Sequence, residues 1–447
     1  MVMVDLMVDK QQSGAAGKGV PAGFKLTEVG VIPEDWEVVP FFDVVSIVSG
    51  QISPICEPYS SMTLIAPDHI ETGTGRLISK KSAKEQGAIS GKYVFHAGDT
   101  IYSKIRPYLR KAIYANFDGL CSADMYPLRP KEGIEPKYIL PLVLGNRFSK
   151  YAESVSVRSG IPKINRTEIA DFLFVIPRQR EEQTAIANVL FDTEALIAAL
   201  EQILAKKQAI KTAAMQQLLT GKTRLPQFAM WEDGTTKGYK KSELGEIPED
   251  WVVTNIGQFT DCCAGGTPGT KVSAYWGGTH PWMSSGELHL KQVHTVADYI
   301  TDEGLANSST KYVPKNSVLV GLAGQGKTRG TVAINRIELC TNQSIAAIFP
   351  GEHHSTEFLF YNLDNRYEEL RSLSTGDGGR GGLNLTIIRK LHLAFPPKEE
   401  QTAIAAILSD IDEDIQTLQQ RLNKTRQLKQ GMMQELLTGK IRLIERN

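Results

Sequence analysis

Residues 321–328 read Gly-Leu-Ala-Gly-Gln-Gly-Lys-Thr, which satisfies GxxxxGK followed by Thr, the phosphate-cradling loop of nucleotide hydrolases, and they follow the apolar run Ser317 to Val320. That chemistry needs a helix N-terminus directly after the Lys-Thr pair, where unsatisfied backbone N–H groups hold the phosphates. Here the chain continues Arg329-Gly-Thr-Val-Ala-Ile, which reads as a second strand, and no clear apolar strand ends in a magnesium-binding Asp. A strand, a Gly-rich tip and a second strand predict a hairpin. The first half carries Asp99-Thr-Ile-Tyr-Ser-Lys-Ile-Arg-Pro-Tyr-Leu-Arg-Lys-Ala-Ile-Tyr, again two strands around a basic tip. Gly lets a backbone approach a phosphate, Lys and Arg neutralise it, and Gln or Arg can make paired hydrogen bonds to a base edge. The two tips are therefore candidate DNA contacts.

No other catalytic constellation emerges. GxSxG and HExxH are absent, and Phe395-Pro-Pro-Lys lacks the Asn or Asp before the prolines that a methyltransferase motif needs. Cys56, Cys121, Cys262, Cys263 and Cys340 are odd in number and have no CxxC spacing, which argues against a disulfide framework and a zinc site and fits a reduced, cytoplasmic compartment. His289 and His294 lack a partner at metal spacing. No apolar run is long enough to span a membrane, and the start lacks the pattern of a signal peptide. Overall charge is balanced, with 50 Lys+Arg and 50 Asp+Glu, but its distribution is uneven. Nine Lys/Arg stand against Glu85 and Asp99 between Arg76 and Lys111, and five stand without an acid between Lys311 and Arg336. Either stretch could follow phosphates; either could also be a solvated strand face.

The elements that must position these tips occur twice. Gly30-Val-Ile-Pro-Glu-Asp-Trp returns as Gly245-Glu-Ile-Pro-Glu-Asp-Trp, Glu-Glu-Gln at 181–183 returns at 399–401, and Leu-Leu-Thr-Gly-Lys at 218–222 returns at 436–440. The last two pairs share one offset, so the segment between them has one length in both halves. Within it, a stripe that is apolar except at Thr193 and Lys207 runs through Ile186, Leu190, Thr193, Ile197, Leu200, Leu204, Lys207, Ile210, Ala214 and Leu218. The second copy gives Ile404, Leu408, Ile411, Ile415, Leu418, Leu422, Thr425, Leu428, Met432 and Leu436. Spacings of four and three sustained over about five heptads predict a coiled-coil helix of roughly 40 residues, about 60 Å, in each half. Pro177 and Pro396-Pro397 mark the starts, and Gly221 and Gly439 the ends. The regions before the helices are β-rich runs separated by turn residues, so the fold class expected is α+β with an internal pseudo-twofold repeat. The boundaries read as a tail 1–22, a domain 23–176, a helix 177–221, a linker 222–237, a domain 238–395, a helix 396–440 and a tail 441–447.

With these words in place, the chain resembles the specificity subunit of a type I restriction-modification system. The likeness rests on the two Ile-Pro-Glu-Asp-Trp words, on the Pro-led Glu-Glu-Gln words and on the two Leu-Leu-Thr-Gly-Lys words. Gly265-Gly-Thr-Pro, Tyr275-Trp-Gly-Gly and Pro281-Trp282 resemble the opening of a target recognition domain, as does His69-Ile-Glu-Thr-Gly-Thr-Gly-Arg-Leu. The resemblance implies two α/β target recognition domains, each reading one half of a split asymmetric site in double-stranded DNA, held apart by an antiparallel pair of the long helices. It implies two modification subunits that bring S-adenosylmethionine and methylate adenine, restriction subunits that bring ATP and Mg, and no cofactor or catalysis in this chain. Base-contacting residues do not transfer from the family. Charge and turn chemistry alone nominate Lys104, Arg106, Tyr108, Arg110, Lys111, Arg158 and Lys163 in the first domain. They nominate Gln325, Lys327, Thr328, Arg329 and Arg380 in the second. The same residues leave open a stand-alone coiled-coil scaffold or DNA-binding regulator, and more remotely a P-loop ATPase.

Overall fold

The computed structural model describes residues 20–157, 160–324, 326–373 and 382–443. It divides into two compact units, residues 1–201 with 421–447, and residues 202–420. Each is α+β. Among the described residues, no helix is long and apolar enough to cross a membrane.

The first unit opens with the antiparallel hairpin Phe24–Thr27 and Gly30–Pro33. Strand Trp36–Pro40 then pairs antiparallel with Leu173–Pro177, which delivers the chain to the first long helix. Between them lie two four-stranded sheets. One runs Val45–Ile47, Met125–Pro130, Thr100–Ser103, Ala112–Tyr114, and the other Lys81–Ser82, Thr63–Ile65, Gly119–Cys121, Tyr93–Phe95. Phe41, Phe148, Phe172 and Phe174 form one aromatic cluster, with neighbouring ring centroids 5.0–6.1 Å apart, and it seals the first sheet against helix Asn146–Val155.

The second unit repeats the frame on different side chains. Hairpin Tyr239–Ser242 and Gly245–Pro248 has the same register, and strand Val252–Asn255 pairs with His392–Phe395. The sheet that carries its tip is five-stranded, Cys262–Ala264, Ile345–Ile348, Val318–Gly321, Val332–Asn335, Gln292–Val293. Identical braces hold the two hairpins. Lys25 and Lys240 each donate to the carbonyl of the Glu of the Pro-Glu-Asp-Trp word, Glu34 and Glu249, at 2.7 Å, and Thr27 and Ser242 each donate to the turn Gly carbonyl at 2.7 Å.

Both long helices have 39 residues, Arg180–Leu218 and Lys398–Leu436, hence about 58 Å each. Their partners run in opposite directions. In the first unit Glu194 meets Lys429 and Glu201 meets Arg426; in the second, Lys207 meets Asp414 and Lys211 meets Asp412. The seam departs from the expected pattern at one level. Ile210 and Leu428 are 43% and 56% exposed, and the three-four rhythm from Leu204 and Leu422 passes instead through Lys211 and Lys429. Their aliphatic stems cover the seam while the ammonium groups reach carboxylates at 2.6 and 2.5 Å. An apolar residue one position away disguised this in the sequence.

The repeated words converge on one device in each unit. Glu182 and Glu400, the middle residues of the Glu-Glu-Gln words, are 1% exposed. Each accepts the indole N–H of the Trp that ends the Pro-Glu-Asp-Trp word, Trp36 at 3.2 Å and Trp251 at 3.1 Å. Each also takes an Arg from just beyond a Leu-Leu-Thr-Gly-Lys word. Arg442 bridges Glu182 and Asp35, and Arg224 bridges Glu400 and Asp250, with the two bonds to each Asp at 2.7–3.0 Å. These bonds hold both guanidinium pKa values above the ordinary value, although burial opposes them. Gly221 and Gly439 turn the chain into the device at φ +71° and +69°. A Cβ there would lie 2.5 and 2.4 Å from ring carbons of Pro248 and Pro33.

One buried group in the second unit makes stability depend on pH. His354 is 3% exposed, packs edge-on against Phe259 and has neither ring nitrogen hydrogen-bonded among the described residues. Burial first, then the charges of Lys398 and His353, push its pKa down to about 4 from 6.5. Between those values the unfolded chain binds the extra proton, so the contribution is full above pH 6.5 and is lost as pH falls toward 4. About 2 kcal/mol should be gone by pH 5. Urea unfolding of the wild type and of His354→Phe should diverge by that amount between pH 7 and 5; parallel profiles would refute it.

Candidate nucleic-acid interface

The first tip stands on strands Thr100–Ser103 and Ala112–Tyr114, paired Thr100↔Tyr114, Ile101↔Ile113, Tyr102↔Ala112. Its apex is the short 3-10 turn Pro107–Leu109, flanked by Arg106 (φ 48°, ψ 59°) and Arg110 (φ 49°, ψ 50°), both left-handed. A second segment is stitched alongside. Arg106 N donates to the Pro162 carbonyl at 2.7 Å, Ile164 N donates to the Lys104 carbonyl at 2.9 Å, and Ile105 bridges Lys163. This brings Lys163 beside the tip, although 59 residues separate it from Lys104 in sequence. Arg158 lies outside the described residues.

The cations of this tip divide into two groups. Arg110 donates to the Leu144 carbonyl, and burial pushes its pKa below the ordinary value. Lys111 donates to the Pro67 carbonyl at 2.7 Å, and the Lys104 ammonium sits 5.3 Å from the Tyr126 ring centroid. Arg106, Tyr108 and Lys163 are exposed. The wider basic stretch is likewise partly consumed indoors. Arg76 is ion-paired to Glu71, Glu194 and Glu201 at 2.5–2.9 Å, Lys92 binds Ser90, and in the second unit Arg336 binds Gln292, Asn316 and Glu357.

The second tip follows strand Val318–Gly321 and returns as Val332–Asn335, paired Val318↔Ile334, Leu319↔Ala333, Val320↔Val332. Directly after Lys327-Thr328 the backbone turns, Thr331 N donating to the Thr328 carbonyl at 3.1 Å, and enters that strand. The helix N-terminus that a nucleotide loop requires is replaced by the return arm of a hairpin. Gly321 is needed because a Cβ there would lie 2.3 Å from the Thr328 carbonyl oxygen. Lys327 is exposed, and Thr328 and Arg329 are half-buried. Gln325 and Arg380 lie outside the described residues.

The stitch beside the first tip recurs here, with Leu383 N donating to the Leu322 carbonyl at 2.9 Å. In each case the next residue is an Asn that caps a five-residue helix. Asn165 accepts from Glu168 N and Asn384 from Ile387 N, both at 2.9 Å. Helix Tyr367–Ser372 braces the second tip from below. Tyr367 Oη donates to the Lys327 carbonyl at 3.1 Å and Arg371 to the Gly326 carbonyl at 2.5 Å. Neither residue stood out in the sequence; their spacing of four on one helix face was the only signal.

The family model described as type I restriction modification DNA specificity domain matches residues 33–211 and again 248–427. Over 166 residues the chain is 36% identical to the EcoDI specificity subunit of Escherichia coli, spanning 37% of this chain and 36% of that one. It is 27% identical to the putative MjaX specificity subunit of Methanocaldococcus jannaschii over 440 residues, 94% of this chain and 97% of that one. The crystal structure of the type I restriction-modification S subunit from M. genitalium matches the fold with a TM-score of 0.59 at 11% identity, covering 92% of this chain and 97% of that one. With the domain present twice and the paired long helices in place, the chain belongs to this family: it is the DNA specificity subunit of a type I restriction-modification system.

Proposed function

We propose that residues 23–176 and 238–395 are two target recognition domains, each reading one half of a split asymmetric DNA site through its hairpin tip, and that helices 177–221 and 396–440 set the gap. As a specificity subunit the chain is itself non-catalytic, and cofactors belong to its partner subunits. In the cytoplasm, two modification subunits carrying S-adenosylmethionine would methylate adenine at the site chosen here, and restriction subunits using ATP and Mg would cleave unmodified DNA. The observation that carries the reading is the pair of tips. One backbone stitch, 104 to 164 and 322 to 383, supports two different sets of exposed side chains. A common scaffold with different surfaces suits two readers of different sequences, and two weakly selective readers at a fixed spacing multiply their discrimination.

Single-molecule methylome sequencing of a host expressing this chain with its modification subunit is expected to return a motif of two short specified blocks around an unspecified gap. A single uninterrupted motif, or no methylation, would overturn the proposal in favour of a scaffold or regulator.

A further inference from the structure

We propose that Arg106 is the residue that reads a base in the first half-site, donating two hydrogen bonds to the O6 and N7 edge of a guanine in the major groove, while Lys163 beside it takes a phosphate. The inference deepens the reading of the tips as DNA contacts and rests on it.

Among the described residues only four that are not glycine have positive φ: Arg106, Arg110, Lys291 and Asn316. A side chain in the left-handed region is crowded against its own backbone, and such strain persists where the surroundings enforce it and the residue is needed. For Arg110 the need is visible, since its guanidinium ties the tip to the Leu144 carbonyl. Arg106 is held as firmly by its backbone. Its N–H donates to Pro162, and its carbonyl accepts from Leu109 N at 2.9 Å. Its side chain, however, is exposed and takes part in no hydrogen bond or ion pair among the described residues. Glycine would meet every demand the folded chain places on position 106, so the guanidinium answers to something outside the chain.

The neighbours narrow what that is. Lys104, Arg110 and Lys111 are engaged with Tyr126, Leu144 and Pro67, so they stiffen the tip. The exposed cations left at the stitch are one planar fork and one point charge. A guanidinium fixed at its Cα matches the paired acceptors of guanine, which no other base presents in that arrangement. The Lys163 ammonium on its flexible stem suits a phosphate oxygen, which locates the protein without carrying sequence information.

The test uses the full chain in complex with its modification subunit and compares Arg106→Gly, Arg106→Lys and Lys163→Ala by methylome sequencing, by competition binding and with duplexes carrying 7-deazaguanine at each guanine of the first half-site. Arg106→Gly is expected to leave the melting temperature unchanged or raised and the second half-site intact. It should lose about ten- to a hundred-fold discrimination at one guanine. Arg106→Lys should lose most of the same discrimination, and 7-deazaguanine at that position should weaken the wild type but not Arg106→Gly. Lys163→Ala should weaken all sequences alike and reduce the salt slope by about one.

If Arg106→Gly weakens all sequences equally, or leaves the first half-site unchanged while the split motif persists, the assignment of Arg106 is wrong and the tips remain. Loss of the split motif from the wild type itself would instead remove the reading beneath it.

Discussion

Arg442→Ala is expected to destabilise the first unit by about 3–5 kcal/mol, the range for removing one partner of a buried ion pair. Glu182 is 1% exposed and, among the described residues, keeps the Trp36 indole alone as a hydrogen-bond donor to its carboxylate once the guanidinium is gone, and Asp35 loses both of its bonds to Arg442. Arg224→Ala removes the same group from the second unit, but Lys237 remains 2.8 Å from Asp250 and holds part of the charge. Hydrogen exchange followed through urea would assign each loss to its unit. Combining Arg442→Met with Glu182→Gln should recover much of the loss, because the uncompensated charge, rather than the missing contact, dominates. A loss below about 1 kcal/mol for Arg442→Ala, or no recovery in the double variant, would show that the device is ornamental to folding.

The second large effect concerns spacing. Inserting one heptad in register into each helix, after Leu200 in the first and near Leu422 in the second, preserves the seam and lengthens the pair by about 10 Å. That corresponds to about 3 base pairs at ~3.4 Å each, and it turns one half-site about the DNA axis by roughly 100°. Protein or DNA must twist to accommodate this, so affinity should fall even for the best new site. Both outer blocks of the motif should survive, since neither tip is altered, and the gap should grow by about two to four base pairs. Methylome sequencing of the lengthened protein reads this directly. Retention of the original gap at undiminished affinity would show that the helices do not set it.

The repeat, both hairpins, the α+β class and the long helices were legible from residue types and spacing because each depends on local pattern. The nucleotide-loop reading failed on one local feature, the strand-like Thr331-Val-Ala-Ile after Thr328, and the structure places strand Val332–Asn335 there. Other features were visible but ambiguous. Ile210 and Lys211 both continue a helical stripe, and hydrophobicity alone favours the one that is exposed. Arg224 and Arg442 share the offset of the repeated words and lie just two residues beyond them, yet nothing local says that they reach a buried Glu. The tip could not be sorted from sequence at all. Lys111 and Arg106 differ in role because Pro67 and Pro162, 44 and 56 residues away, supply carbonyls to one side chain and to the other's backbone.

The two buried devices share their chemistry but not their loop lengths. Arg224 reaches Asp250 across 26 residues, whereas Arg442 reaches Asp35 across 407. Closing the longer loop costs about 2 kcal/mol more in chain entropy. During synthesis at ~5–20 residues per second, Arg442 emerges on the order of 10–40 s after Arg224. The second unit can therefore complete itself on the ribosome from contiguous chain, while the domain that was made first waits with Glu182 bonded to Trp36 and with no arginine to neutralise its carboxylate. A nascent chain arrested after Gln420 but before Arg442 would leave its oldest domain, not its newest, open to proteases and chaperones.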